Sequence, residues 1–170
     1  MNLDILLRMK ILIVDDEPAN VVLLQEILIE NGYVRTASVT DSKQALATCK
    51  KFEPDLILLD PMMPAPDGFA VLESLRLDRE GTFLPVVVLT ADTNEETKRR
   101  ALAAGATDFL CKPFDHTEVV LRIQNLLETR RVHLLLDNQR AALEETFRER
   151  TAELRATIAE LQKQNQPVSP

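Results

Sequence analysis

Four short segments of the chain are apolar at every position, and each ends on a polar or charged residue. Runs that are apolar throughout, rather than at every second position, are typical of strands buried on both faces of a parallel sheet. With a fifth, weaker strand, these segments predict five strand–helix units and therefore a doubly wound α/β fold with a five-stranded parallel sheet. The four strong segments are Ile11–Val14 before Asp15 and Asp16, Leu56–Leu59 before Asp60, Val86–Leu89 before Thr90, and Phe109–Cys111 before Lys112.

Residues that favour helix ends mark the helices between these strands. Pro18 suits the first position of a helix that stops at Asn31-Gly32. The weak strand is predicted at Tyr33–Val39, and a helix at about Phe69–Asp78 follows a proline-rich loop. Three further helices begin at a capping residue that is followed three positions later by Glu or Gln. These pairs are Asp41 with Gln44, Thr93 with Glu96, and Asp115 with Glu118.

The C-terminal part of the chain has the composition of one long helix. Between Asp115 and Gln166 there is no glycine or proline, and residues with high helix propensity dominate. A helix of about 50 residues would be roughly 75 Å long, more than a domain of this size can cover, so its second half is expected to project. The predicted organisation is a loosely held extension at residues 1–8, a folded domain at 9–130, the projecting helix at 131–164 and a disordered tail at 165–170.

Composition and charge exclude several kinds of partner. The chain has 20 basic and 27 acidic residues and a net charge of −7, whereas a nucleic-acid-binding protein needs a concentrated positive face. No apolar run approaches the roughly 20 residues of a membrane span, and the N terminus lacks the pattern of a signal sequence. A cytoplasmic protein is predicted, with no direct contact to nucleic acid and none to a membrane. Cys49 and Cys111 lack the spacing of a zinc or redox site and are predicted to be free thiols.

The polar residues at the strand ends predict a reactive site. Parallel strands bring their carboxyl ends to one edge of the sheet, so Asp15, Asp16, Asp60, Thr90 and Lys112 should converge there. Three carboxylates would repel one another unless a hard cation neutralised them, and oxygen ligands favour magnesium. A carboxylate can attack phosphorus while a metal and an ammonium group neutralise the phosphoryl oxygens. Asp60 is the best candidate nucleophile, with Lys112 and Thr90 as its stabilising groups.

Four motifs surround these residues, and together they resemble the receiver domain of two-component response regulators over residues 9–130. The order and spacing of the motifs agree with that family, whose fold is a flavodoxin-like sheet of strand order 2-1-3-4-5. In this chain an extended C-terminal helix would follow it. The motifs are the acidic pair in Ile13–Pro18, the phosphorylated-aspartate loop in Leu59–Pro64 with Asp67-Gly68, the switch hydroxyl in Leu89–Ala91, and the lysine-proline element in Asp108–Phe114.

The resemblance implies roles for individual residues of the site. Asp60 would accept a phosphoryl group from the phosphohistidine of a sensor histidine kinase or a phosphotransfer protein. Asp16, Asp60 and the backbone carbonyl of Met62 would hold magnesium, and Asp15 would assist through a water molecule. Such a domain is a signalling phosphoacceptor rather than an enzyme, and it assists only its own phosphorylation and slow dephosphorylation.

The resemblance also implies a switch and a backbone frame for the phosphoryl group. Thr90 and Phe109 would be the switch pair, the backbone of Met62 and Ala91 would contact the phosphoryl group, and the bond between Lys112 and Pro113 would be cis.

One position departs from the family pattern. Pro61 stands where an aliphatic residue usually follows the phosphorylated aspartate. Proline lacks an N–H group, but the amide expected to face the phosphoryl oxygens belongs to Met62, so the site should remain intact.

Two other functions fit part of the pattern. A haloacid-dehalogenase-like phosphatase also uses an Asp nucleophile, magnesium and a lysine on an α/β sheet, but it needs a second Asp two residues after the nucleophile, where this chain has Met62. A receiver-like scaffold that works without phosphorylation is the other alternative, and phosphoryl uptake would discriminate it.

The long helix predicts assembly as well as structure. Leu126–Leu161 resembles the helical linkers that join receivers to cyclic-dinucleotide phosphodiesterase domains of the HD type. Eight positions at heptad spacing form a weak coiled-coil seam in which five residues are apolar. A homodimer is therefore expected, held by this helix and by the face that the fourth helix, fifth strand and fifth helix of a receiver share. The seam positions are Leu136, Arg140, Leu143, Phe147, Arg150, Leu154, Thr157 and Leu161.

Overall fold

The computed structural model describes residues 3–78, 81–91 and 95–164. The chain divides into two units, residues 1–131 and residues 132–170. Five strands and six α-helices occupy the described residues, with a 3₁₀ turn at Ser42–Gln44. In chain order they are α1 (Leu3–Leu6), β1 (Ile11–Val14), α2 (Pro18–Glu30), β2 (Thr36–Val39), α3 (Ala45–Phe52), β3 (Leu56–Leu59), α4 (Gly68–Asp78), β4 (Val86–Thr90), α5 (Glu95–Ala103), β5 (Asp108–Cys111) and α6 (His116–Gln164).

The five strands form one parallel sheet in the order β2-β1-β3-β4-β5. Every residue of β1, β3 and β4 is buried, which is the pattern of strands covered on both faces. The prediction of a doubly wound, flavodoxin-like α/β fold is therefore confirmed.

The edge strand β2 is shorter than expected. It begins at Thr36 rather than Tyr33 because the preceding residues close the end of α2. The Tyr33 amide donates to the Leu28 carbonyl at 2.9 Å, and Gly32 adopts a φ of +86°. Backbone groups used in this helix-ending turn are not available to the sheet.

The predicted helix caps are found where the structure describes them. Asp41 accepts a hydrogen bond from the Lys43 amide at 3.0 Å, and Asp115 accepts one from the Glu118 amide at 2.7 Å. Thr93, the third predicted cap, lies outside the described residues. Asp67 is a cap that the pattern did not indicate, since it accepts a hydrogen bond from the Ala70 amide at 2.9 Å at the start of α4.

The N-terminal extension is held against the first unit. The side chain of Leu6 is fully buried, and Leu7 lies beside Gly32. Arg35 donates a hydrogen bond to the Arg8 carbonyl at 3.1 Å. The expectation of a loosely held segment is therefore wrong for residues 3–8, because a buried leucine anchors it to the domain.

Helix α6 is continuous over 49 residues, as predicted from the absence of glycine and proline. In the first unit it buries Val119, Ile123, Leu127 and Arg130. The Arg130 guanidinium donates to the Phe83 carbonyl at 2.5 Å.

The second unit contains the remainder of α6. Ion pairs within the helix join Arg140 to Glu144 and Arg148 to Glu145. Most of its large apolar side chains are exposed, including all five apolar members of the predicted seam. Val132, Leu135 and Ile158, which lie outside that seam, are exposed as well. Residues 165–170, predicted to be disordered, lie outside the described residues.

Among the described residues, no helix combines the length and the apolar character that a membrane span requires. Cys49 and Cys111 are both free thiols, in agreement with the sequence.

Candidate functional site

The predicted strand-end residues converge at one edge of the sheet. Asp15 and Asp16 follow β1, Asp60 follows β3, Thr90 ends β4 and Lys112 follows β5. Oxygen atoms from the three carboxylates lie within 4.8 Å of one another. The parallel sheet therefore concentrates negative charge at this edge.

Lys112 bridges two of the three carboxylates. Its Nζ lies 3.0 Å from Asp15 Oδ2 and 2.5 Å from Asp60 Oδ2, and its side chain is only 19% exposed. Burial lowers the pKa of Lys112, but hydrogen bonds to Asp60 and Asp15 and their negative charges raise it by more, so the net pKa lies above the ordinary value. The ammonium group is therefore charged at neutral pH and fixed beside Asp60.

The adjacent carboxylates Asp15 and Asp16 have different environments. Asp15 is fully buried and accepts hydrogen bonds from the Glu17 amide at 2.9 Å and from Asn20 Nδ2 at 3.1 Å. Asp16 is exposed. Asp15 is thus held in place by its neighbours, whereas Asp16 stands at the entrance to the site. Asn20 was not recognised from the sequence, because a polar residue in the first turns of an amphipathic helix is common.

The Asp60 carboxylate is oriented by its own loop. Asp60 is 6% exposed, and its Oδ1 accepts a hydrogen bond from the Met62 amide at 2.7 Å. The amide facing Asp60 therefore belongs to Met62, so the missing N–H of Pro61 removes no contact there.

Gly68 closes the same loop. Its amide donates to the Pro61 carbonyl at 3.1 Å. A Cβ atom at this position would clash with the Asp60 carbonyl oxygen and lie 2.5 Å from Pro61 Cα. Only glycine allows α4 to begin so close to Asp60.

Two peptide bonds near the site are cis. The bond between Lys112 and Pro113, expected to be cis, has that geometry, and so does the bond between Ala65 and Pro66 in the loop after Asp60.

The two residues of the expected switch pair lie on neighbouring strands. Thr90 is buried, with 3% of its surface exposed. Phe109 is half-buried, with Lys98 Nζ 5.0 Å and the Arg122 guanidinium carbon 5.8 Å from its ring centroid. Arg122 also donates to both carboxylate oxygens of Asp108, at 2.8 and 2.7 Å. Two cations therefore lie close to the aromatic ring.

The charge balance of the site suits a divalent cation. Three carboxylates and one ammonium group leave a net charge of −2 at the centre formed by Asp15, Asp16, Asp60 and Lys112. The candidate ligands are all oxygen atoms, which magnesium prefers to nitrogen or sulfur. The residues present therefore fit magnesium.

Comparison with known proteins identifies this arrangement. Residues 11–124 match the sequence model of the family described as Response regulator receiver domain. The chain belongs to this family. The phosphatase alternative is accordingly not favoured, and Met62 stands at the position where that reaction needs an aspartate.

Named relatives share the receiver but extend beyond it. Transcriptional regulatory protein PcoR of Escherichia coli is 40% identical over 122 residues, which are 72% of this chain and 53% of PcoR. Response regulator PleD of Caulobacter vibrioides is 39% identical over 131 residues, which are 77% of this chain and 28% of PleD. The chain thus spans about half of PcoR and less of PleD.

A solved receiver carries the expected metal. The receiver domain of the sensor histidine kinase PA1611 from Pseudomonas aeruginosa PAO1, with a magnesium ion coordinated in the active site cleft, is 31% identical to this chain, with a TM-score of 0.65. The match covers 71% of this chain and 98% of that structure.

Proposed function

We propose that Asp60 is the phosphoacceptor of this receiver and takes its phosphoryl group from the phosphohistidine of a sensor histidine kinase or a phosphotransfer protein. One carboxylate oxygen of Asp60 attacks phosphorus, an O–P bond forms, and the N–P bond to the histidine ring breaks. The ring nitrogen leaves with the bonding electrons. The observation that carries this proposal is the position of Asp60, whose carboxylate lies between the Met62 amide and the Lys112 ammonium group.

The residues around Asp60 are proposed to bind magnesium and to stabilise the phosphoryl oxygens. Asp16, Asp60 and the Met62 carbonyl are the proposed magnesium ligands, with Asp15 acting through a water molecule. Bound magnesium would supply positive charge to the phosphoryl oxygens. Lys112 neutralises a further oxygen, because its raised pKa keeps it charged. The backbone amides of Met62 and Ala91 complete the frame by donating to phosphoryl oxygens.

Thr90 and Phe109 are the proposed switch. The Thr90 hydroxyl contacts the phosphoryl group only after transfer, so it stabilises one state of the protein over the other. Inward rotation of Phe109 then changes the surface formed by α5, β5 and the start of α6. The chain thus acts as a signalling phosphoacceptor and not as an enzyme, in the cytoplasm.

Phosphoryl uptake from acetyl phosphate tests this function. Mass spectrometry of the intact chain should show the addition of one phosphoryl group when magnesium is present and essentially none in chelator, since without the metal the site keeps a net charge of −2 and repels a phosphoryl dianion. Equal uptake in chelator would contradict the proposed metal role. A complete absence of uptake with magnesium would favour the phosphorylation-independent scaffold.

The second unit is proposed to form a homodimer with a second copy. Six of its exposed apolar residues recur every 11 positions, as Val132, Leu143 and Leu154 in one row and Leu136, Phe147 and Ile158 in another. An 11-residue repeat places side chains along one nearly straight stripe of a helix. Burial against a partner helix would stabilise each large apolar side chain by about 1.5–3 kcal/mol relative to exposure.

The receiver is proposed to contribute the face formed by α5, β5 and residues 116–131 of α6, which correspond to the fourth helix, fifth strand and fifth helix of the family. The projecting part of α6 would also suit a linker between the receiver and an output domain. HD-type phosphodiesterase domains are one such output domain, because they follow similar helical linkers.

Light scattering tests this assembly. The full chain should be dimeric at micromolar concentration, and a chain ending at Arg131 should be largely monomeric because it lacks the exposed stripe. Phosphorylation should shift the population of dimer. A monomeric full chain with and without acetyl phosphate, or equal dimerisation of the shortened chain, would exclude the helix as the dimer contact.

A further inference from the structure

Arg100 of α5 reaches the loop that follows Asp60. Its guanidinium carbon lies 4.0 Å from the ring centroid of Phe69, and its Nη2 lies 3.6 Å from Asp67 Oδ2. The side chain is 62% exposed. Stacking on the ring fixes the plane of the guanidinium group, and the loose ion pair leaves most of its N–H donors available.

The same side chain lines two cavities at the mouth of the receiver site. One, of about 360 Å³, is also lined by Met62, Thr90 and Ala91, the residues proposed to contact the phosphoryl group. The other, of about 500 Å³, is also lined by Asp16 and Asp67. Among the described residues lining these cavities, Arg100 is the one cation.

The position of Arg100 is relevant to donor binding because the other charged residues that line these cavities, Asp16 and Asp67, are acidic. A phosphodonor that approaches Asp60 is an anion and must pass Asp16 and Asp67. Lys112 is mostly buried and already contacts Asp15 and Asp60, so it acts inside the site. Arg100 is the exposed cation in the path of the donor, and guanidinium groups bind phosphoryl oxygens through paired N–H donors.

We propose that Arg100 is a donor-binding residue, whose guanidinium group contacts the phosphoryl oxygens of the incoming donor before transfer to Asp60. This inference rests on the proposed phosphoacceptor function. Arg100 takes no part in the bond changes: with acetyl phosphate, the O–P bond forms at Asp60 and acetate leaves with the bonding electrons. Its contribution is to the encounter, where a single positive charge near a dianion accelerates association.

The test compares phosphorylation rates of matched variants with two small donors, acetyl phosphate and phosphoramidate, in excess magnesium. Arg100→Gln keeps a polar side chain, although a shorter one, and removes the charge, and it should lower the apparent second-order rate constant about five-fold with both donors. Arg100→Lys keeps the charge but loses the planar stack, and it should stay within about two-fold of the wild type. Arg99→Gln, the same change at the preceding exposed position, should leave the rate constant of phosphorylation unchanged.

Salt provides an independent readout. The wild-type rate should fall as sodium chloride is added, and the rate of Arg100→Gln should fall less steeply, because a screened charge has been removed.

Equal losses of rate in Arg100→Lys and Arg100→Gln would assign a stacking role to Arg100 and overturn the proposal. An effect confined to acetyl phosphate, or an equal loss of rate in Arg99→Gln, would overturn it as well. If the wild type itself takes up no phosphoryl group, the proposed function has failed; a labelled wild type with unchanged Arg100→Gln rejects only the role of Arg100.

Discussion

Replacement of Asp60 by asparagine should abolish phosphoryl uptake while leaving the protein folded. The amide is nearly isosteric with the carboxylate, so its oxygen can still accept from the Met62 amide. It is not a nucleophile, however, and the O–P bond cannot form. Removal of one of three clustered carboxylates relieves repulsion, while the ion pair between Asp60 and Lys112 is lost. We therefore expect no labelling by mass spectrometry, with a Tm about equal to that of the wild type.

Asp41→Asn is the matched control for this substitution. Asp41 is an exposed helix cap, and asparagine caps a helix as well as aspartate does. This variant should be labelled like the wild type. Labelling of Asp60→Asn to the same stoichiometry as Asp41→Asn would place the phosphoacceptor elsewhere.

Gly68→Ala should have the second largest effect, on both stability and phosphorylation. The added methyl group would overlap the backbone at Asp60 and Pro61, so the loop or the start of α4 has to move. We expect a loss of about 3 kcal/mol or more in the free energy of unfolding. Since the same loop carries the Met62 amide, phosphoryl uptake should fall at least about ten-fold, because a small displacement of reacting groups has a large kinetic cost.

Gly81→Ala separates this clash from the ordinary strain of replacing a glycine. Gly81 has a φ of +82°, but a Cβ there would meet nothing within 4 Å. The free energy of unfolding of Gly81→Ala should be lower than that of the wild type by about 1–2 kcal/mol, the cost of a left-handed conformation for a residue with a Cβ. Its phosphorylation should be unchanged. Urea unfolding together with labelling measures both effects, and a Gly68→Ala protein labelled as fast as Gly81→Ala would show that the close approach is unimportant for chemistry.

The sequence predicted the central sheet and the location of the site because both follow from local pattern. Runs without polar residues are typical of strands buried on both faces of a parallel sheet, and β1 and β3 have the bounds that the runs indicated. The polar or charged residue at the end of each run then marks the edge of the sheet. Thr90 lies inside β4 rather than after it, because the backbone of a residue with a hydroxyl side chain can still take part in the hydrogen bonding of the sheet.

The features that were missed depend on contacts between distant segments. Leu6 belongs to a segment too short to show periodicity, yet it is fully buried. Asn20 and Arg100 are ordinary helix residues until the fold places them beside Asp15 and Phe69. The start of β2 was misplaced because the Tyr33 amide is used to end α2, a choice between two backbone partners that side-chain pattern does not specify.

In the proposed switch, the two cations near Phe109 would set a threshold for signalling. Inward rotation of the ring would give up its contacts with Lys98 and Arg122, each worth about 0.5–1 kcal/mol at an exposed site. Together they would bias the proposed switch against its active conformation by about 1–2 kcal/mol, a factor of roughly 5–30 in population. This bias would lower the basal signalling of the unphosphorylated protein, and the same free energy would be subtracted from the response that each phosphoryl group can produce.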